Sequence, residues 1–361
     1  MAPVVQALTA DPNFESKVCV TAQHRQMLDQ VLNLFAITPD YDLDIMQKDQ
    51  DLFDVTSRVL LGLRDILHAE KPDMILVQGD TTTCFAGSLA AFYMQIPVGH
   101  IEAGLRTGSI HAPFPEEANR TMTSRIAALH FAPTIQSRQN LLDEGIAADT
   151  IHVTGNTVID ALLWVRDKVT ARQDWTGVFG KAGKIINEHR PYVLITGHRR
   201  ENFGQGFQDV CEAIASLAAH HPEIHFIYPV HLNPNVQQPV YSILGAKENI
   251  HLIAPLDYAP FVHAMGCARL IITDSGGVQE EAPSFGKPVL VMRETTERPE
   301  AVNAGTVLLV GTDKQRIISE TQRLLADHDF YKQMADNPNP YGDGRAAERI
   351  KQILSKGLGG I

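Results

Sequence analysis

Short, unbroken apolar runs recur along this chain, and segments of helical periodicity separate them. In the first half they are Val18-Cys19-Val20, Met74-Ile75-Leu76-Val77, the segment from Val98 to Ile101, His130-Phe131-Ala132 and Ile151-His152-Val153. In the second half they are Tyr192 to Thr196, His225 to Tyr228, His251 to Ile253, Leu270 to Ile272, Pro288 to Met292 and Val307 to Val310. Runs that are apolar at every position read as strands buried on both faces, and alternation with helices makes the sheets parallel. Two such sets predict an α/β protein of two doubly wound, Rossmann-like domains with a cleft between them. Charge and glycine increase between about Val158 and Arg190, which puts the boundary there. The expected N-terminal domain is 1–160, rejoined by a last helix within 346–361, and the second domain is 161–345. A length of 361 residues suits two domains better than one.

The expected helices include Met1 to Thr9, Arg25 to Phe35, Asp51 to His68, Phe85 to Tyr93 and Glu116 to Leu129. A doubly wound domain normally opens with a strand whose loop feeds the first helix. Here the first recognisable element is that helix, so the strand and its loop are expected to be missing. A net charge of −11 argues against a nucleic-acid surface as the main business. The four cysteines form no Cys-x-x-Cys pair, which reads as free thiols in a reducing compartment. No apolar run is long enough to cross a bilayer and no signal peptide is evident, so the cytoplasm is the expected location. The 15 histidines show no metal-ligand spacing.

Polar groups follow the C-terminal ends of several strands, where open α/β sheets bind ligands. Asp80 follows one strand, Glu102 and Arg106 another, His198 and Arg199 a third, and Asp274-Ser275-Gly276-Gly277 a fourth. Ser-Gly-Gly lets the backbone turn sharply before a helix expected from Val278 to Ala282. Free backbone N–H groups and the helix dipole then point at one spot, suited to a phosphate or diphosphate. Glu281 lies about one turn in, where a carboxylate can accept hydrogen bonds from ribose hydroxyls. Arg298 lies beyond the next strand and is placed to return to the same pocket. Each residue has a plainer reading: Asp80 as a helix N-cap, Glu116 and Glu117 as complements to a helix dipole, His198 as a loop histidine. Together, three carboxylates and a histidine at strand ends are equipment for proton transfer.

Five strings bring the chain to a known family. They are Thr21-Ala22-Gln23-His24-Arg25, Gln78-Gly79-Asp80-Thr81-Thr82-Thr83, Gly99-His100-Ile101-Glu102-Ala103-Gly104-Leu105-Arg106-Thr107 with Pro115-Glu116-Glu117-Ala118-Asn119-Arg120, Thr196-Gly197-His198-Arg199-Arg200-Glu201-Asn202, and Asp274 to Glu300. They resemble the non-hydrolysing UDP-N-acetylglucosamine 2-epimerases of bacterial surface-polysaccharide synthesis. The resemblance implies the GT-B arrangement, a homodimer, and interconversion of UDP-N-acetylglucosamine and UDP-N-acetylmannosamine through 2-acetamidoglucal. It implies no metal, no nicotinamide, no nucleic acid and no membrane partner. By resemblance Asp80, Glu102 and Glu116 are the acid/base carboxylates, and His198 stabilises the diphosphate leaving group. Ser275, Gly276 and Gly277 hold the phosphates, Glu281 the ribose, Arg298 the diphosphate or sugar, and Phe261 packs on uracil. Gln23, Gln26, Arg199 and His231 are candidates for a second, activating sugar-nucleotide site. The family's N-terminal strand and Gly-Thr-Arg-Pro-Glu-type loop are not in this sequence, which adds the expectation of a truncated chain. Two alternatives follow: an inactive sugar-nucleotide-binding remnant, and a glycosyltransferase of the same fold.

Overall fold

The computed structural model describes residues 1–22, 25–47, 49–170, 175–296 and 298–356. The chain divides into two compact units, Met1–Ala161 with Gly342–Ile361, and Leu162–Tyr341. In the first unit β1 (Cys19–Val20) pairs in parallel with β2 (Tyr41–Asp42). β3 (Ile75–Gln78), β4 (Val98–Ile101), β5 (Leu129–Ala132) and β6 (Ile151–Val153) form a second parallel ladder in that order. The end of β1 meets the helix after β3 through Thr21 and Thr83, whose hydroxyls are 3.3 Å apart.

Both faces of this ladder are covered, as its apolar strands require. On one face the helices Ala2–Thr9 and Ala346–Ser355 pack Val4, Leu8, Ala347, Ile350 and Leu354 against Ile101 and Phe131. On the other, Val77 and Val98 meet Cys84 and Ala91 of the helix Thr82–Tyr93. That helix starts three residues before the expected Phe85, because the Thr81 side chain accepts a hydrogen bond from Cys84 N. The helix Glu116–Ile126 stops three residues short of the expected Leu129. Ala128 N donates to Val98 O at 2.8 Å, and Leu129 pairs with Gly99, so the sheet takes the residues that the helix would have used. β2 was not expected; a two-residue strand reading Tyr-Asp carries no apolar run.

The second unit holds β7 (Tyr192–Thr196), β8 (His225–Pro229), β9 (Ile250–Ile253), β10 (Leu270–Thr273), β11 (Val289–Val291) and β12 (Val307–Leu309). All pair in parallel, in the order β12-β11-β10-β7-β8-β9. This is the doubly wound order, with the winding reversed between β7 and β10. Its core is fully apolar and joins Val193, Ile195, Phe226, Ile272 and Leu290 of the strands to Phe207, Ile214, Leu217 and Val240 of the helices. The crevice beyond a reversal point is where such sheets bind ligands.

The helix Ala346–Ser355 has no side-chain cap of its own. Asp160 caps it from another helix, accepting Ala346 N at 3.1 Å and Ala347 N at 2.8 Å. Asp160→Ala leaves two buried N–H groups without an acceptor. We expect it to cost about 1–3 kcal/mol, read as a lower denaturant midpoint with unchanged slope. A midpoint equal to wild type would show that the cap contributes nothing.

Candidate active site

In the second unit the loop after β7 and the loop after β10 are tied together at the reversal point. Asp274, fully buried, accepts His198 N and Arg199 N on one carboxylate oxygen, both at 2.8 Å. Ser275 N donates to Thr273 Oγ1 at 3.0 Å, and the helix Gly276–Glu281 begins at once. Gly276 is flanked by two guanidinium groups: a Cβ built there would lie 3.8 Å from Arg199 Nη2 and 3.9 Å from Arg298 Nη2. Glycine thus keeps open a small space bordered by two cations, the electrostatics an anion needs. His198 is exposed beside it, its ring stacked on His231 with centroids 5.5 Å apart.

The segment carrying Arg298 folds back over the helix start. Thr296 Oγ1 donates to Gln279 Oε1 at 2.7 Å, Arg298 N donates to Thr296 Oγ1 at 3.0 Å, and Arg298 Nε donates to the buried Glu280 carboxylate. Glu281 is buried and accepts the Tyr258 hydroxyl at 2.8 Å. Burial, with the nearby Glu280 adding, pushes the Glu281 carboxyl up to about 7, while the Tyr258 bond opposes the rise. Phe261 lies one turn beyond Tyr258 on the helix Tyr258–Cys267 and is half-buried. The second unit therefore brings together His198, Arg199, His231, Ser275, Gly276, Gly277 and Arg298, with Glu281 and Phe261 on the flanking elements.

In the first unit the carboxylates stand beyond β3 and β4. Asp80 is held by Arg120, which donates to its Oδ2, and Asn119 Nδ2 donates to Asp80 O at 2.9 Å. Both partners belong to the first turns of the helix that Glu116 opens, so Asp80 and Glu116 are anchored to one element. The N-cap reading of Asp80 is corrected: Thr81 caps, because its hydroxyl reaches Cys84 N while Asp80 turns to Arg120. Glu117 accepts Thr107 N at 3.0 Å and pairs with Arg120 at 3.3 Å, a structural use that leaves Glu116 as the different one. Glu116 Oε2 is buried with no hydrogen-bond partner among the described residues. Glu102 accepts Gln78 Nε2 at 3.2 Å and has a backbone φ of +64°. A non-glycine residue in the left-handed region costs energy and is found at functional sites. Gly104, at φ +91°, lets this loop pass the next helix: a Cβ there would lie 2.2 Å from Ser137 O. A Cβ on Gly79 would lie 3.8 Å from Glu102 Oε2, so Glu102 reaches the loop that carries Asp80. Arg106 instead makes a two-pronged pair with Glu144, at 2.6 and 2.9 Å, and serves the loop's structure.

Gln23 lies outside the described residues, as does the side chain of Gln26. Gln78, Arg120, Tyr258 and Glu280 were not singled out from the sequence. Arg120 falls four residues after Glu116 within Glu116-Glu117-Ala118-Asn119-Arg120, one helical turn on, which is the signal that could have found it.

The sequence pattern of the UDP-N-acetylglucosamine 2-epimerase family matches residues 6–355. The chain belongs to that family. The UDP-N-acetylglucosamine 2-epimerase of Salmonella typhimurium is 60 % identical over 354 residues, which cover 98 % of this chain and 94 % of the relative. The crystal structure of the UDP-GlcNAc 2-epimerase from Neisseria meningitidis bound to UDP-GlcNAc is similar, with 51 % identity, a TM-score of 0.89, and 99 % and 96 % of the two chains covered. That of Methanocaldococcus jannaschii, in complex with UDP-GlcNAc and UDP, has 32 % identity and a TM-score of 0.78 over 99 % and 96 % of the two chains. Likeness of this breadth to proteins named as epimerases does not favour the alternative of an inactive sugar-nucleotide-binding remnant. Among the described residues no helix is long and apolar enough to cross a membrane, and no group of three or more His, Cys, Asp or Glu could hold a metal ion.

The raised Glu281 carboxyl sets a sign for the family member's pH-stability. Below about pH 4.5 the group is protonated folded and unfolded alike. Between about 4.5 and 7 the unfolded state ionises first, so stability falls as pH rises, by roughly 3 kcal/mol in total, and is level above. Denaturation of wild type and Glu281→Gln from pH 4.5 to 8 measures this. The variant is expected to lack that part of the slope, and parallel curves would remove Glu281 as its source.

Proposed function

We propose that this chain catalyses the reversible, non-hydrolysing C2 epimerisation of UDP-N-acetylglucosamine to UDP-N-acetylmannosamine. The observation that carries the reading is Glu102, held in a left-handed backbone conformation with its carboxylate beside the loop of Asp80. Backbone strain at a carboxylate, next to a second carboxylate, fits acid/base chemistry better than structure. The chemistry balances as an elimination and its reversal. A carboxylate takes the C2 proton, the C1–O bond breaks, and UDP leaves with the bonding pair, giving 2-acetamidoglucal. UDP oxygen then re-adds at C1 while a proton is delivered to the opposite face of C2. Asp80, Glu102 and Glu116 supply the acid and base. His198, Arg298 and the Ser275-Gly276-Gly277 turn meet the diphosphate, whose negative charge grows as it leaves. Glu281 accepts from the ribose and Phe261 packs on the base. Arg199 and His231 remain candidates for a second sugar-nucleotide contact.

Incubation with UDP-N-acetylglucosamine in D2O, followed by proton NMR, tests the reaction. Wild type is expected to place deuterium at C2 and to form the manno epimer. Glu102→Gln is expected to slow exchange by on the order of 10²–10⁴-fold while UDP still binds. Absence of exchange in wild type would refute the reading.

We also propose a homodimer through the first unit and a cytoplasmic location, the latter in keeping with four free thiols. Phe92 and Tyr93 are 59 % and 69 % exposed at the end of one helix. With Ile96, Pro97 and Ile126 they line a hollow of about 570 Å³. Phe53, Leu61 and Met122 are exposed on the helices Leu52–Glu70 and Glu116–Ile126, which pack against the helix Thr82–Tyr93. An apolar outer side of this kind is suited to a second copy of the same surface. Phe92→Asp with Tyr93→Asp is expected to halve the mass by light scattering. A wild-type monomer, or an undisturbed dimer in the variant, would reject this surface.

A further inference from the structure

We propose that Asp274 is a positioning residue that fixes the orientation of the His198 imidazole and keeps a proton on its Nδ1. This deepens the epimerase reading and rests on it for the role of His198. One oxygen of Asp274 is used twice by the backbone, accepting His198 N and Arg199 N at 2.8 Å each. The other oxygen is buried and has no hydrogen-bond partner among the described residues. It faces the His198 ring, with Nδ1 3.4 Å away. A fully desolvated carboxylate oxygen without a donor is costly, whereas the His198 side chain is 43 % exposed and can turn. A ring shift of a few tenths of an ångström brings Nδ1–H into a charge-assisted hydrogen bond.

That contact has a directional consequence. With Nδ1–H donating to Asp274, Nε2 is the nitrogen turned to the diphosphate site, and the carboxylate supports the doubly protonated ring in which Nε2–H donates to the departing diphosphate oxygen. The two backbone bonds hold the main chain of His198 to the same carboxylate, so ring and backbone are referenced to one buried group. Asp274 itself is immobilised at the end of β10, beside Thr273, whose hydroxyl meets Thr196 at 2.6 Å across the β7–β10 pair. His231 stacks on the outer face of the ring and limits its rotation. Asp274 touches no substrate atom in this scheme and acts only through His198.

The experiment is long-range ¹H–¹⁵N NMR of the histidine ring in the UDP-bound protein, with kcat and UDP affinity measured alongside. The His198 signals are identified by their loss in His198→Asn. Wild type with UDP bound is expected to carry one proton on Nδ1 and a second on Nε2. In Asp274→Asn the amide oxygen can still accept the two backbone N–H groups, but its NH2 faces Nδ1 and forces that nitrogen to accept. A proton is then expected on Nε2 alone, with kcat reduced on the order of 10²-fold and UDP affinity within about 3-fold of wild type. A purely structural role would weaken UDP binding and stability together and leave the ring protons unchanged. A wild-type ring with no proton on Nδ1 when UDP is bound overturns the proposal without any variant, so failure of Asp274→Asn to fold does not protect it. Normal turnover in a folded Asp274→Asn overturns it as well. If wild type shows no C2 exchange, the epimerase reading fails, while the NMR still decides the Asp274–His198 contact.

Discussion

The pairing of β7 with β10 is the constraint on which the second unit depends. These strands are adjacent in space and far apart in sequence, and their side chains are buried on both faces. Because the winding reverses between them, the loops that follow the two strands face one another. Polar backbone left at that end needs partners, and a buried carboxylate supplies two acceptor contacts at once. The same geometry that leaves room for a ligand therefore also demands a fixed anion beneath it. Cations then gather above: Arg199 and Arg298 border Gly276, and His198 stands at the rim.

The first unit handles its carboxylates differently. Asp80 and Glu117 share Arg120, so one guanidinium serves two of the four acidic groups there. Glu102 accepts a hydrogen bond from the Gln78 amide, and its own backbone is strained. Glu116 keeps a buried oxygen unmatched among the described residues. The neighbouring carboxylates of this unit therefore sit in unlike environments, which is how a fold gives chemically identical groups different proton affinities.

Much of the architecture could be read from the sequence, because buried parallel strands leave continuous apolar runs such as Leu270 to Ile272. Tyr41-Asp42 could not, since a two-residue pair at the edge of one short ladder needs no apolar pattern. The limits of the helix Glu116–Ile126 were misread because strand pairing at Leu129 overrides local helical preference. Positions beyond strand ends were legible for Asp80, Glu102, His198 and Ser275 to Gly277, where apolar run gives way to small and polar residues. The long-range partners were not: nothing near Asp80 in sequence announces Arg120, and nothing near Glu281 announces Tyr258. Such pairs exist only once the sheet has brought distant loops to one end.

The packing of the helix Ala346–Ser355 against Ala2–Thr9 and β4 has a consequence for how the protein is made. The second unit is one continuous stretch, whereas an apolar cluster of the first unit needs residues from both ends of the described chain. On a ribosome the second unit can close as soon as its own residues emerge. The first unit must wait, with Val4, Leu8, Ile101 and Phe131 uncovered, until nearly all the rest has been synthesised. The half that is translated first is completed last, and its interval of exposed apolar surface is set by the length of the other half.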